Sequence, residues 1–293
     1  MKALLYKILF TFLYLLSLLP FWCLHRLADF LFLFIFYLIN YRKEVVEANL
    51  ARAFPEKSPA ERKKIMRTYY LHLCDLIVET IKTQTISQKA LAQRLHTPNI
   101  DFLLAKIAQG ESIMVLTSHV GNWEWHLALV PILKLHTFAI YQPLSNPYFD
   151  AYIRKMRSRF QAQMVSMQQI PKLLLEAHQS QKQHISWFAA DQAPKPKTAF
   201  WTTFLHQDTP FHTGYEKLAM RLNCAVVYFY LRKTGRSRYK LEILPMREPN
   251  QPLQEGQLVS QYVKILEKQI QENAPYWLWS HKRWKYARPN NKN

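Results

Sequence analysis

Residues 113–126 read IMVLTSHVGNWEWH, and this stretch decides the fold class. Ile113 to Thr117 form the continuous apolar run of a strand buried on both faces, and WEWHLALVPILKL, from Trp123, has a helical texture. The alternation continues downstream. TFAIY, HISWFAA, AVVYFYLRK and RYKLEILP read as strands, with helical patterns in PYFDAYIRKMRSRF, IPKLLLEAHQS, GYEKLAMRL and LQEGQLVSQYVKILEKQIQENAP. Strands separated by helices predict an α/β fold, a mixed, mostly parallel sheet flanked by helices.

Upstream of this core the texture is membrane-like. Residues 8–24, ILFTFLYLLSLLPFWCL, are uncharged and apolar, and with Leu4 and Leu5 they approach the roughly 20 residues that cross a bilayer core. They are expected to form an N-terminal hydrophobic membrane helix, retained because no small-residue cleavage site follows. The alternative is a buried core helix. A second run, FLFLFIFYLINY from Phe30, is shorter, aromatic and closed by Arg42 and Lys43, which suits an interfacial helix. The expected organisation is therefore a membrane anchor with an interfacial segment over 1–45 and a catalytic domain over 46–293. In KSPAERKKIMRTYYLHLCDLIVETIKT, Ser58, Pro59 and Glu61 predict a capping box at the start of a long helix with a stripe through Ile65, Tyr69, Leu73 and Leu76.

Composition narrows the function. Among 293 residues, 39 Lys and Arg face 20 Asp and Glu, a formal charge of +19. That surplus implies a polyanionic surface or partner: nucleic acid, anionic lipid or an acidic carrier protein. Three scattered cysteines and no C-x-x-C argue against a disulfide framework or a cysteine zinc site. With only five glycines, neither G-x-G-x-x-G nor a Walker-type phosphate loop can be written, so nucleotide-binding enzymes of those classes drop out.

His119 and Glu124 stand just beyond the first strand, where open α/β sheets carry their ligand sites. If the segment from Asn122 is helical, the two meet across its first turn, and the carboxylate would orient the imidazole as a general base. No G-x-S-x-G elbow or catalytic cysteine accompanies them, so the substrate must supply the nucleophile. Two other readings compete: a histidine capping a helix whose Glu124 favours the positive end of the dipole, and a zinc site of His119, Glu124 and His126, whose spacing is not that of H-E-x-x-H.

SHVGNWEW resembles the signature of the late acyltransferases of lipid A biosynthesis, a branch of the lysophospholipid acyltransferase superfamily. The likeness continues in order through YQPLSNPYFD, RKMRSRF, WFAADQAP and PYWLWSHKRWKYARP, and spans nearly the whole chain. The resemblance implies transfer of a fatty acyl chain from an acyl carrier protein thioester to a hydroxyl of an acylated lipid A precursor, at the cytoplasmic face of a bacterial inner membrane. It needs no cofactor and no metal. It assigns His119 as base, Glu124 as its orienting partner, Arg157 near the thioester carbonyl and Asp191 as the acid closing the site. Gln142 stands where the family often has Arg, a departure that bears on the acceptor. A glycerolipid, ornithine-lipid or glycolipid acceptor, and acyl coenzyme A as donor, would suit the same residues.

Each of these residues also has a plainer reading. Arg157 lies in a basic cluster with Arg154, Lys155 and Arg159 that would serve as a solvated helix face, and Asp191 suits a turn. Gly121 and Asn122 either shape the turn or offer amides to an anionic group. Trp123 and Trp125 read as core, and Trp201 and Phe204 as acyl-tunnel lining or core. Two acid-free stretches give the charge a use: RKTGRSRYK from Arg232 for an acidic carrier, and HKRWKYARP from His281 for the membrane interface. A non-catalytic basic membrane adaptor or nucleic-acid binder is the reading from another class; no nucleic-acid module is recognisable, and nucleic acid is not the expected partner.

Overall fold

The structure is a computed structural model that describes residues 1–289. The amino-terminal third is helical: α1 (Lys2–Leu18), α2 (Phe21–Leu33, running on as a π-helical turn over Phe34–Ile39), α3 (Lys43–Ala53), α4 (Pro59–Lys82) and α5 (Gln88–Ala92). Strands and helices then alternate through β1 (Leu95–His96), α6 (Ile100–Ala108), β2 (Ile113–Thr117), α7 (Val130–Leu133), β3 (His136–Tyr141), α8 (Pro147–Ser158), β4 (Ala162–Ser166), α9 (Ile170–Gln179) and β5 (His184–Ala189). A hairpin of β6 (Phe200–Phe204) and β7 (Gln207–Phe211) precedes α10 (Gly214–Leu222), β8 (Ala225–Gly235), β9 (Arg238–Arg247) and α11 (Gln257–Glu272).

Seven strands form one sheet in the order β1-β9-β8-β2-β5-β3-β4. The five strands β8, β2, β5, β3 and β4 are mutually parallel; β9 runs antiparallel to β8, and β1 follows β9. The mixed, mostly parallel α/β sheet is thus as the alternation predicted. Because side chains alternate across a strand, Met114 and Leu116 enter one apolar layer while Ile113 and Val115 enter the other. The first layer is closed by α4, α9, α10 and α11, and the second by α5, α6, α7 and the turn that contains Trp125.

Two helix starts show how polar groups fix this frame. Ser58 and Glu61 form the expected reciprocal capping box at α4, with Pro59 at the first helical position. At α11 the cap comes from a distance: the buried carboxylate of Glu216, on α10, accepts from the amides of Gly256 (2.7 Å), Leu258 (2.8 Å) and Val259 (3.1 Å). Gly256 itself has φ +79, and a Cβ there would lie 2.5 Å from the Phe200 ring. Glu216→Ala strands three buried donors, and it is expected to lower unfolding free energy by roughly 2–4 kcal/mol, read as a lower urea midpoint at unchanged slope.

The amino terminus differs from its sequence reading. The apolar run 8–24 is not one helix: α1 ends at Leu18, the chain turns through Leu19 and Pro20, and α2 begins at Phe21. Pro20 carries no amide proton for a continuing helix, which accounts for the break. Among the described residues, the one helix long and apolar enough to cross a membrane is Phe21–Ile39, and it takes in Phe30–Ile39 of the run expected to be interfacial. Leu24, Ala28, Phe32 and Phe36 of that segment are buried in the same apolar layer as α4 and α11.

Seven elements were not predicted: the helices α3, α5 and α6, and four short strands. β4 is a short edge strand, AQMVS, too polar to read as one, and β1 has two residues. The β6–β7 hairpin occupies the stretch read for Trp201 and Phe204. There Phe204 is fully buried against Phe211 and Trp277 and belongs to the core, while the Trp201 indole donates to the Pro196 carbonyl.

Candidate active site

Parallel register brings the central pair together. Thr117, the last residue of β2, is aligned with Ala189, the last of β5. Two residues beyond each strand end stand His119 and Asp191, at the carboxyl edge of the sheet where ligand sites of open α/β folds lie. His119 Nδ1 is 2.6 Å from Asp191 Oδ1, and Asp191 Oδ2 accepts from the His119 amide at 2.9 Å and from the Trp277 indole at 2.8 Å. Asp191 is therefore the carboxylate that orients His119, and the Nδ1 proton is assigned from this partner.

The electrostatics of the pair follow from its burial. Burial disfavours charge on the His119 ring, but the charge of Asp191 and its hydrogen bond outweigh this and hold the imidazole above its ordinary value. Burial likewise opposes ionisation of Asp191; the His119 cation, the two N–H donors and the bond to the ring overcome it and hold the carboxyl far below the usual range. The second nitrogen, Nε2, is left for chemistry. Gln192 Nε2 lies 3.3 Å from it, and the Trp123 ring stands edge-on to the imidazole with centroids 4.7 Å apart.

Glu124 has a different partner from the one expected. Its carboxylate binds Arg157 of α8 through two parallel hydrogen bonds, from Nε at 2.8 Å and from Nη2 at 2.5 Å. This fork leaves Nη1 of Arg157 outside the pair. The reason is local geometry. Gly121 turns the chain at φ +68, where a Cβ would come within 3.0 Å of Leu231, and Asn122 accepts the Glu124 amide at 3.2 Å. The segment Trp123–Leu129 is then a 3₁₀ helix and not the α-helix anticipated, which aims Glu124 at α8 and not at His119.

Gly121 and Asn122 shape that turn and are not free to meet a substrate anion. The Gly121 amide donates to the Tyr276 carbonyl at 2.8 Å. Asn122 is fully buried, and its amide donates to Glu79 at 2.6 Å. Glu79, on α4, was missed in the sequence. It also accepts from Ser237 (2.8 Å) and Tyr239 (2.9 Å), and its complete burial pushes its carboxyl up. The signal was an acid three residues after Leu76, on the apolar stripe of α4. Trp277, within the carboxy-terminal aromatic block, is the other missed contact, since it reaches Asp191 and its segment bridges to Val120.

The remaining expectations divide. Trp125 is fully buried, its indole against Thr83, whereas Trp123 faces the base. His126 is buried against Phe229, and desolvation pushes its pKa down to about 3; it stays outside the site. The basic stretch from Arg232 is largely engaged internally: Lys233 and Arg236 pair with Asp75, Arg236 also with Asp29, Arg232 with Glu272 and Lys240 with Glu242. Arg283, in the block from His281, is fully buried over the Phe211 ring, with Nη2 on the Pro210 carbonyl. It does not face a surface at all.

An oriented histidine with a second, Arg-paired carboxylate beside it, and no serine or cysteine nucleophile in the arrangement, has the chemistry to take a proton from a hydroxyl. The family model for bacterial lipid A biosynthesis acyltransferase matches residues 2–286. The chain belongs to this family. Among similar proteins, the lipid A biosynthesis palmitoleoyltransferase of Escherichia coli K12 is 24% identical over 246 residues, 83% of this chain and 79% of the relative. The lipid A biosynthesis lauroyltransferase of the same organism is 24% identical over 247 residues with the same coverage, and a lipid A biosynthesis acyltransferase of Shigella flexneri aligns equally well. The protein is thus an acyltransferase of the lipid A biosynthesis family.

Proposed function

We propose that this acyltransferase moves a fatty acyl chain from an acyl carrier protein thioester to a hydroxyl of an acylated lipid A precursor, at the cytoplasmic face of a bacterial inner membrane. The observation that carries the chemistry is the 2.6 Å contact of His119 Nδ1 with Asp191, which leaves Nε2 as the base. Nε2 takes the proton of the acceptor hydroxyl as its oxygen bonds to the thioester carbonyl carbon. The tetrahedral intermediate carries an oxyanion, and Nη1 of Arg157, held in place by Glu124, supplies a fixed cationic donor for it. Collapse breaks the C–S bond, and the imidazolium returns its proton to the departing thiolate, giving an ester and a free thiol.

Lys233 and Arg236 are already paired, so the cations assigned to the acidic carrier are those around the site. Arg154 and Lys155 are exposed on α8 beside Arg157, and Lys195 and Lys197 are exposed on the loop after Asp191. The membrane is met by the exposed apolar faces of α1 and α2.

The reading is tested by assaying the purified protein with tetra-acylated lipid A precursor and a panel of acyl carrier protein and coenzyme A thioesters, alongside lipid mass spectrometry of a deletion strain. One additional acyl chain in vitro, and lipid A lighter by one acyl chain in the strain, are expected. Unchanged lipid A with altered glycerolipids, ornithine lipids or glycolipids would move the acceptor to that class while leaving the acyl transfer intact.

A further inference from the structure

We infer that Glu79 is a positioning residue for acyl transfer: acting through Asn122, it fixes the direction of Glu124 and so of the Arg157 guanidinium at the oxyanion. This deepens the reading above and rests on Arg157 being the oxyanion donor.

The two halves of the site are held by different parts of the chain. On the base side, the His119 carbonyl accepts from the Leu278 amide at 3.1 Å, the Gly121 amide donates to the Tyr276 carbonyl at 2.8 Å, and the Trp277 indole reaches Asp191. On the Arg157 side, the anchors lie in the last turn of α4 and just beyond it. Glu79 accepts from the Asn122 side chain at 2.6 Å, and Thr83 Oγ1 accepts from the Trp125 indole at 3.3 Å. Glu79 and Thr83 are one helical turn apart, so Glu124 is carried between two ties to a single rigid face. The carbonyls of Thr83 and Ile86 also accept from Arg159, which brings the end of α8, two residues beyond Arg157, to the same place.

Of these ties, Glu79 is the one that aims the acid. The Glu124 amide can only donate, which turns Oδ1 of Asn122 towards it and leaves Nδ2 for Glu79. Asn122 is fully buried, so an unpaired Nδ2 there would draw the side chain to another partner, and its hold on Glu124 would be lost. A carboxylate is otherwise a poor choice for this position. Glu79 is completely buried, which pushes its carboxyl up, and an apolar side chain of the same volume would pack there without that penalty. What Glu79 supplies is an acceptor whose direction is fixed by two further donors, Ser237 at 2.8 Å and Tyr239 at 2.9 Å.

The test is a set of variants followed by single-turnover transfer, with the thioester and acceptor on which the unmodified enzyme is active. Glu79→Leu removes the acceptor and is expected to slow transfer by roughly 10²-fold, the scale of a misplacement of about 1 Å in an active site. Glu79→Gln is expected to stay within a few-fold of the unmodified rate, since its amide oxygen serves Asn122 and Tyr239 while its NH₂ donates to Ser237, whose hydroxyl can reverse. In an Arg157→Ala background, Glu79→Leu is expected to add no further loss, because the group it positions is gone. A role in stability alone gives the same loss in both backgrounds. That result overturns the inference, as does Glu79→Gln as slow as Glu79→Leu. Should Glu79→Leu fail to fold, Asn122→Ala cuts the same tie from the other side and is read in the same two backgrounds. Full-rate transfer by Arg157→Ala would remove the oxyanion assignment and this inference with it, whereas a slow Arg157→Ala beside a full-rate Glu79→Leu would remove this inference alone.

Discussion

His119→Ala is expected to reduce acyl transfer by roughly 10²–10⁴-fold, the range that loss of a general base spans, while the protein stays folded and membrane-bound. The side chain is 16% exposed and sits at the mouth of the site, so its removal opens no deep cavity. Asp191 keeps its bonds from the Trp277 indole and the backbone amide of residue 119. Single-turnover transfer from a labelled thioester measures the effect, with far-ultraviolet circular dichroism and a urea titration as controls on folding. Turnover within a few-fold of the unmodified enzyme would show that the acceptor hydroxyl is not deprotonated by this ring, and the mechanism would fail at its first step.

What the sequence showed of this site depended on how local each contact is. The position of His119 was legible because five buried residues, Ile113 to Thr117, mark β2 and the carboxyl end of a parallel strand is where chemistry sits. Its partner was not, because the His119–Asp191 contact is made by register: it needs Thr117 opposite Ala189, and the two residues are separated by 72 positions. Spacing offered Glu124 instead, the nearest acid, on the assumption of an α-helix from Asn122. The positive φ of Gly121, the Asn122 cap and the 3₁₀ winding re-aim that acid at Arg157, and none of these is visible in an H-x-x-x-x-E spacing. Family resemblance located all four residues but gave His119 the wrong partner, Glu124, where the structure places Asp191.

The same distinction explains the fold. Strands buried on both faces announce themselves as apolar runs, and β2, β3, β5, β8 and β9 were all legible; the edge strand β4, AQMVS, was not, since an edge strand needs less apolar surface. At the amino terminus hydropathy outweighed a stronger local signal. Pro20 sits inside the apolar run, and its lack of an amide proton divides the run into two helices of 17 and 13 residues. That division lets both helices fold back along the domain.

Asp191→Asn separates the two candidate partners of the base by their pH dependence. His119 must be neutral to accept a proton, so kcat/KM falls as pH drops through its folded pKa. Burial alone would place that pKa below the ordinary histidine value, and Asp191 is what raises it. In the Asp191→Asn variant the raising interaction is gone and the burial remains, so the acid limb of the profile is expected to move to lower pH. The maximal rate should fall by about 10³–10⁴-fold, the scale on which an amide in place of the orienting carboxylate acts in a His–Asp pair, because an asparagine can turn its amide nitrogen to Nδ1 and favour the wrong tautomer. Glu124→Gln acts through another group. It touches His119 only by charge, while it holds Arg157 by two hydrogen bonds. Its main effect is expected on the step that develops the oxyanion, with a displacement of the acid limb smaller than that of Asp191→Asn. If Glu124→Gln moved the limb further than Asp191→Asn, Glu124 would be the residue that sets the charge of the base, and the assignment of the two carboxylates would have to be exchanged.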